Sequence, residues 1–303
     1  MKTSKKKSVD NIIIKNAQLI RTASVVSVAV ALVLLLVKTW IWLLTGSLSV
    51  LASMADSLLD GAASTINLLA IRYSQKTADR GHPFGHGKAE YLAGLGQSLF
   101  IAGSALFILV QAAGRVIEPL PLEVGGLSIG VMIFALLLTA GLVLFQRMVV
   151  RRTGSMAIKA DSLHYSADLF TNTGTVLALA LAAMGWTVLD PLIAIAIALV
   201  VLYNAWRIGY DSTQFLLDCK LPPELEKRIL AVAIANEGVE GVHDIRTRLS
   251  GQTKIIQLHL EMKGEMILAE SHRIAKEVEN EIRKIAPGAD IIIHQDPCRE
   301  ESG

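Results

Sequence analysis

Two uninterrupted apolar runs, "SVVSVAVALVLLLV" at 24–37 and "VMIFALLLTAGLVLF" at 131–145, set the first constraint on this chain. Each is longer than a helix buried in a soluble core needs, and with its flanks approaches the roughly 20 residues that cross a bilayer. A segment surrounded by lipid has no water for its amides, and a helix satisfies them internally. Composition agrees, with 52% hydrophobic and 18% charged residues against about 25% charged in soluble domains. An integral membrane protein is expected.

Six apolar segments can be marked, at 20–44, 48–71, 90–116, 123–147, 157–184 and 187–211. Their connectors alternate in charge. The N-terminus carries Lys2, Lys5, Lys6 and Lys7, the second-to-third connector Arg72, Lys76, Arg80 and Lys88, and the fourth-to-fifth Arg147, Arg151, Arg152 and Lys159. The intervening connectors, "TGS", "EPLPLEVGG" and "GWTVLDP", hold no Lys or Arg. Basic loops stay on the cytoplasmic side, so both termini are expected there. The basic start lacks a small-residue cleavage site, which predicts a retained first helix rather than a signal peptide. Lys38 and Arg115 fall near the outer ends of their segments, where long side chains snorkel to the interface.

The composition changes after residue 212, which divides the chain into a membrane domain, 1–212, and a second domain, 213–303. "LPPELEKRILAVAIANEG" opens on prolines and ends at glycine, as a helix does. Two strand-like runs, "VHDIRTRLSG" and "KIIQLHLEM", flank a "SGQT" turn. "LAESHRIAKEVENEIRKIAPG" is amphipathic, with Ile267, Ile274, Val278, Ile282 and Ile285 near one face, and "DIIIHQD" closes as a strand. The order αββαβ predicts a small α+β domain. Cys219 and Cys298 supply neither a disulfide framework nor a C-x-x-C pair. A net charge of +2 gives no pull toward nucleic acid.

Ionisable residues interrupt two of the apolar segments. Asp56 and Asp60 lie four apart in the second, and His164 and Asp168 four apart in the fifth. On a helix that spacing puts both side chains on one face. Two such faces turned together offer three carboxylates and one imidazole, a four-coordinate set for a divalent cation. Each mid-membrane Asp carries about 2.5–3.5 kcal/mol on insertion scales. Pairing with a base or facing a wet crevice would relieve that penalty, yet neither segment holds a basic side chain at this depth. A cation site is therefore the expected reading. Asp161 is expected to line an entrance or hydrate a helix end. Asn67 and Asn172 either line a polar path or bond neighbouring helices.

Three motifs, "LSVLASMADSLLD" at 48–60, "DRGHPFGHGKAEYLAGL" at 79–95 and "DSLHYSAD" at 161–168, resemble the cation diffusion facilitator family of metal/proton antiporters, and its bacterial zinc and ferrous-iron efflux branch in particular. The resemblance runs over essentially the whole chain. It implies a bundle of six transmembrane helices followed by a cytoplasmic, metallochaperone-like α+β domain. It also implies that Asp56, Asp60, His164 and Asp168 form the transport site, that Asp79, His82 and His86 form a cytoplasmic loop site, and that His243, His259, His272, His294 and Asp296 form a metal cluster where two cytoplasmic domains meet. Four of the seven histidines fall in this last domain.

The expected function is proton-coupled export of divalent cations by a homodimer in a bacterial inner membrane. Zn2+ is the first candidate, both as substrate and as regulatory ligand, with Cd2+ and Fe2+ next. The rivals are a membrane-embedded metal sensor without transport and a Mn2+ or Co2+ exporter of the same family. An enzyme is not expected, because H-E-x-x-H is absent and a full ligand set leaves little room for a reacting substrate.

Overall fold

A computed structural model describes residues 2–46, 48–117, 126–183 and 189–298. The predicted lysine-free connectors at 118–126 and 185–191 fall largely outside the described residues, as do the side chains of Lys2, Lys5, Lys6, Lys7 and Arg115. The helices are α1 (Lys2–Thr45), α2 (Leu48–Ser74), α3 (Ala89–Ile117), α4 (Gly126–Thr153), α5 (Met156–Ala183) and α6 (Leu189–Leu216). They are followed by α7 (Pro223–Ile234), β1 (Gly241–Ser250), β2 (Thr253–Met262), α8 (Leu268–Ile285) and β3 (Asp290–Pro297). The chain forms two compact units, one of Asn16–Thr77 with Ala89–Thr213, the other of Met1–Lys15, Ala78–Lys88 and Gln214–Gly303.

Within the helical unit, α5 packs against α2, α3 and α4. Small residues let these backbones approach: Ala23 and Ala157 are fully buried with Ile20, Ile71, Val149 and Ile158 in one cluster. Large apolar side chains such as Leu36, Val110, Leu137 and Trp206 point outward, as lipid-facing residues do. Among the described residues, four stretches are long and apolar enough to cross a membrane: Ile14–Leu44, Ala89–Gly114, Met132–Thr153 and Pro191–Leu216. α2 and α5 are not among them. These are the helices that carry Asp56, Asp60, Asp161, His164 and Asp168, which lower their hydropathy.

The second unit has the expected αββαβ order. Pro222 and Pro223 open α7, where a missing amide proton costs nothing. The sheet runs β1-β2-β3, with β1 antiparallel and β3 parallel to β2. One face buries Ile256, Leu258, Leu260 and Met262 against Ile229 and Ala233 of α7 and Ile274, Val278 and Ile282 of α8. Ile267 was expected on that helical face. It instead precedes α8 as its N-cap and is exposed. The β1–β2 turn places Gly251 at φ +57 beside Gln252, a two-residue turn of the kind that follows the sheet's twist. Directly after His243 the β1–β2 register shifts, and Asp244 adopts φ 50, which marks a bulge.

Candidate metal centres

Three groups of metal-type ligands emerge among the described residues, each with donor atoms within 4.8 Å of one another: Asp60, His164 and Asp168; Asp79, His82 and His86; and His243, His259 and Asp296.

In the helical unit, His164 Nε2 lies 3.0 Å from Asp60 Oδ1 and 3.8 Å from Asp168 Oδ2. The spacing that put Asp168 one turn above His164 thus turns both toward α2. Asp56 lies one turn before Asp60, is exposed and stays outside the close group. Lys38 of α1 changes the electrostatic reading. Its Nζ donates to Ser57 Oγ at 2.6 Å and to the Ser53 carbonyl at 3.0 Å. It lies close enough for Asp60, Asp56 and Asp168 to feel its charge. The expectation that Lys38 snorkels outward, leaving the carboxylates without an internal counter-charge, is therefore corrected. The same penalty that singled out the aspartates applies to a lysine inside an apolar run, and would have found it.

Asp161 does not hydrate a helix end. It is fully buried. Its Oδ2 accepts from Gln146 Nε2 at 2.7 Å and its Oδ1 from Gln97 Nε2 at 3.3 Å, with Ser64 Oγ at 3.5 Å. Tyr165 shares a 2.8 Å hydrogen bond with Ser64 Oγ and donates to the Ser27 carbonyl at 3.3 Å. Asp161 is thus the centre of a polar hub drawing on α1 to α5. Asn67 bonds the Ala157 carbonyl of α5 at 3.3 Å, the helix-bonding alternative, while Asn172 is exposed and outside the hub.

The connector at 78–88 folds with the C-terminal elements. His82-Pro83-Phe84-Gly85 closes a turn in which the Gly85 amide donates to the His82 carbonyl at 2.9 Å. Asp79 Oδ1 accepts from the amides of His82 at 2.7 Å and Gly81 at 2.9 Å. The His82 amide, above all, holds the Asp79 carboxyl below the usual carboxylate range. His86 Nε2 is 3.4 Å from Asp79 Oδ2 and His82 Nδ1 is 3.5 Å from Asp79 Oδ1. Lys88 pairs with Asp218 at 2.9 Å, and Arg248 reaches the same carboxylate at 3.3 Å while stacking over Phe84. Burial pushes the Asp218 carboxyl up, but the Lys88 and Arg248 hydrogen bonds outweigh it and hold the group below its ordinary range. Gly87 meets Gly251 backbone to backbone, with no space for a Cβ on either.

The third group is built by register. His243, His259 and His294 face one another across β1, β2 and β3 as a single rung, on the face away from the core. Asp296 sits between them. Its Oδ2 is 2.8 Å from His259 Nδ1 and 3.3 Å from His243 Nε2, and its Oδ1 is 2.8 Å from His294 Nδ1. The His259 hydrogen bond is the main reason that the Asp296 carboxyl sits below its usual range. His272 is exposed on α8 and is not brought into the group. Mixed nitrogen and oxygen donors of this kind suit a borderline divalent ion.

Sequence comparison places residues 24–217 in the cation efflux transmembrane domain and 221–298 in the cytoplasmic domain of cation efflux proteins. A Salmonella arizonae protein named cation-efflux pump FieF is 48% identical over 281 residues, covering 93% of this chain and 94% of its own. The Escherichia fergusonii cation-efflux pump FieF is also 48% identical over 281 residues, with the same shares. Among solved structures, the metal-bound C-terminal domain of the CzcD transporter from Thermotoga maritima is 24% identical with a TM-score of 0.25, covering 26% of this chain and 93% of that one.

Proposed function

Because the chain belongs to the cation efflux family of membrane metal transporters, and is thus a transporter and not an enzyme, we propose that it exports divalent cations by metal–proton antiport through Asp56, Asp60, His164 and Asp168. The observation that carries this reading is the convergence of Asp60, His164 and Asp168 from two helices. A divalent ion takes deprotonated carboxylates and neutral imidazole, so its arrival releases protons and its departure lets them return to the same atoms. One site opened alternately to two sides then couples the two flows. Asp56, one turn from Asp60, completes the ligand set by turning inward. Lys38 supplies positive charge to the carboxylates when no metal does.

Zn2+ fits a four-donor set with one imidazole, with Cd2+ and Fe2+ as the next candidates, whereas an all-oxygen set would suit Mn2+ better. Residues 1–212 form the transport domain and 213–303 a cytoplasmic domain that dimerises and senses metal through His243, His259, His294 and Asp296. Asp79, His82 and His86 bind a further cytoplasmic ion. The protein resides in a bacterial inner membrane with both termini in the cytoplasm.

Zinc uptake into everted membrane vesicles under an imposed pH gradient tests this reading. Uptake is expected to need the gradient and to disappear in Asp168→Ala. Wild-type uptake by that variant overturns the site, and uptake indifferent to collapse of the gradient overturns antiport.

A further inference from the structure

Two rungs of side chains lie on the exposed face of the C-terminal sheet. One holds His243, His259 and His294. The next, two residues along each strand, pairs Gly241 with Glu261 and Glu261 with Asp296. Gly241 opens β1, and a glycine in a strand often marks a close approach. The backbone does not ask for it, since Gly241 is not among the positive-φ residues. What occupies the space is Glu261: a Cβ on Gly241 would overlap Glu261 Oε2 and lie 3.0 Å from its Cδ.

The room is used in one direction. Glu261 Oε1 comes within 3.0 Å of His243 Nδ1, while Nε2 of the same ring is 3.3 Å from Asp296 Oδ2. The imidazole therefore has one carboxylate at each nitrogen. A neutral imidazole carries one proton. Held on Nδ1 toward Glu261, it leaves the Nε2 lone pair free beside Asp296. A ligating histidine nearly always donates its other nitrogen in this way, which sets both its tautomer and its ring angle.

We infer that Glu261 is a positioning residue for the C-terminal metal site, fixing His243 with its proton on Nδ1 and its Nε2 toward the ion, and that Gly241 is glycine to leave that carboxylate space. This rests on the reading that the His243, His259 and Asp296 group binds metal. Glu261 is no ligand in this arrangement, because its oxygen is engaged on the side of the ring away from Asp296. Cys298, the nearby soft donor, does not compete: it donates to Glu240 Oε2 at 3.1 Å, and that contact pushes its thiol up.

The experiment uses full-length protein in which the other two groups are disabled by Asp60→Ala with His164→Ala and Asp79→Ala with His86→Ala. Zn2+ affinity is measured by competition with a chromophoric chelator, and the ligand set is followed by Co2+ absorption. Glu261→Ala is expected to weaken Zn2+ binding by roughly 10–100-fold. Glu261→Gln, whose amide oxygen still accepts from Nδ1–H, should recover most of that loss with unchanged Co2+ bands. Gly241→Ala should weaken binding in the same sense, and adding it to Glu261→Ala should cost nothing further. Unchanged affinity in Glu261→Ala overturns the inference. So does a Gln variant as weak as Ala with shifted Co2+ bands, which would make Glu261 a ligand. Asp296→Ala separates the two levels. If it abolishes binding while Glu261→Ala does not, only the positioning role falls; if it too leaves binding intact, the metal site itself falls.

Discussion

The donors on α2 and α5 and those on the C-terminal sheet are brought together by opposite means. In the helical unit the period aligns His164 and Asp168 on α5 toward Asp60 of α2, and His164 ends 5% exposed. On the sheet each strand contributes one histidine and register aligns them, leaving the side chains of His243 and His294 47% and 64% exposed. The surroundings differ accordingly. Within the helices polar protein groups answer buried charge: Lys38 donates to Ser57, and two glutamines donate to Asp161. On the sheet three imidazoles crowd one carboxylate in a solvent-exposed setting, with Glu261 on the far side of His243.

If protein rather than water stabilises the helical group, losing one member should be severe. Asp60→Ala removes the 3.0 Å partner of His164, and zinc uptake into everted vesicles should fall to the level of empty membranes while Zn2+ binding at the two other groups persists. Uptake within twofold of wild type would reduce the convergence on His164 to a packing contact. The next effect should carry the opposite sign for binding. Lys38→Gln removes a positive charge near three carboxylates, so equilibrium Zn2+ affinity at the helical group should rise roughly tenfold at an effective dielectric near 20, with slower release and turnover. Unchanged affinity would make Lys38 a clip on Ser57 and nothing more.

These contrasts also explain what could be read in the sequence. The pairs Asp56/Asp60 and His164/Asp168 were legible because a local period fixes which side chains share a face, and so was the αββαβ order. Long-range partners were not. Asp161 meets Gln97 and Gln146, 64 and 15 residues away, and neither glutamine carries a charge to betray it. The His243, His259, His294 rung depends on a two-residue turn at Gly251 and on where β3 aligns after α8, and no spacing encodes those. Lys38 differs: the cost of a lysine inside an apolar run marks it in the sequence, but the partners it finds, Ser53 and Ser57, are set by the position of α2.

The polar hub gives a middle-sized test of the same contrast. Asp161→Ala takes the acceptor from the buried Gln97 amide and leaves Gln146 Nε2 only Ser27 Oγ, which should destabilise the protein by about 1–3 kcal/mol. Asp161→Asn, which keeps one oxygen, should lose less. The detergent-solubilised protein's melting temperature reads both. Equal melting of wild type and the Ala variant would mean that Asp161 does not hold these amides.

The smallest effect is expected where charges meet in solvent, at Asp218. The fully folded carboxyl lies below its ordinary range, held there by Lys88 and Arg248. A depressed pKa means that the pair's contribution is complete above the unfolded value, near 4, and is lost as pH falls through the lower folded value. The connector at 78–88 should therefore be equally protected from amide exchange at pH 8 and pH 5, after correction for the intrinsic exchange rate, and loosen only in stronger acid. Asp218→Asn removes the charge at any pH, and since the side chain is 39% exposed, its effect should stay below about 1 kcal/mol. That is a few-fold faster exchange at Gly85 to Lys88, with no change in zinc uptake. Loosening between pH 8 and pH 5 in wild type would mean that the connector's order does not come from the Asp218 ion pair.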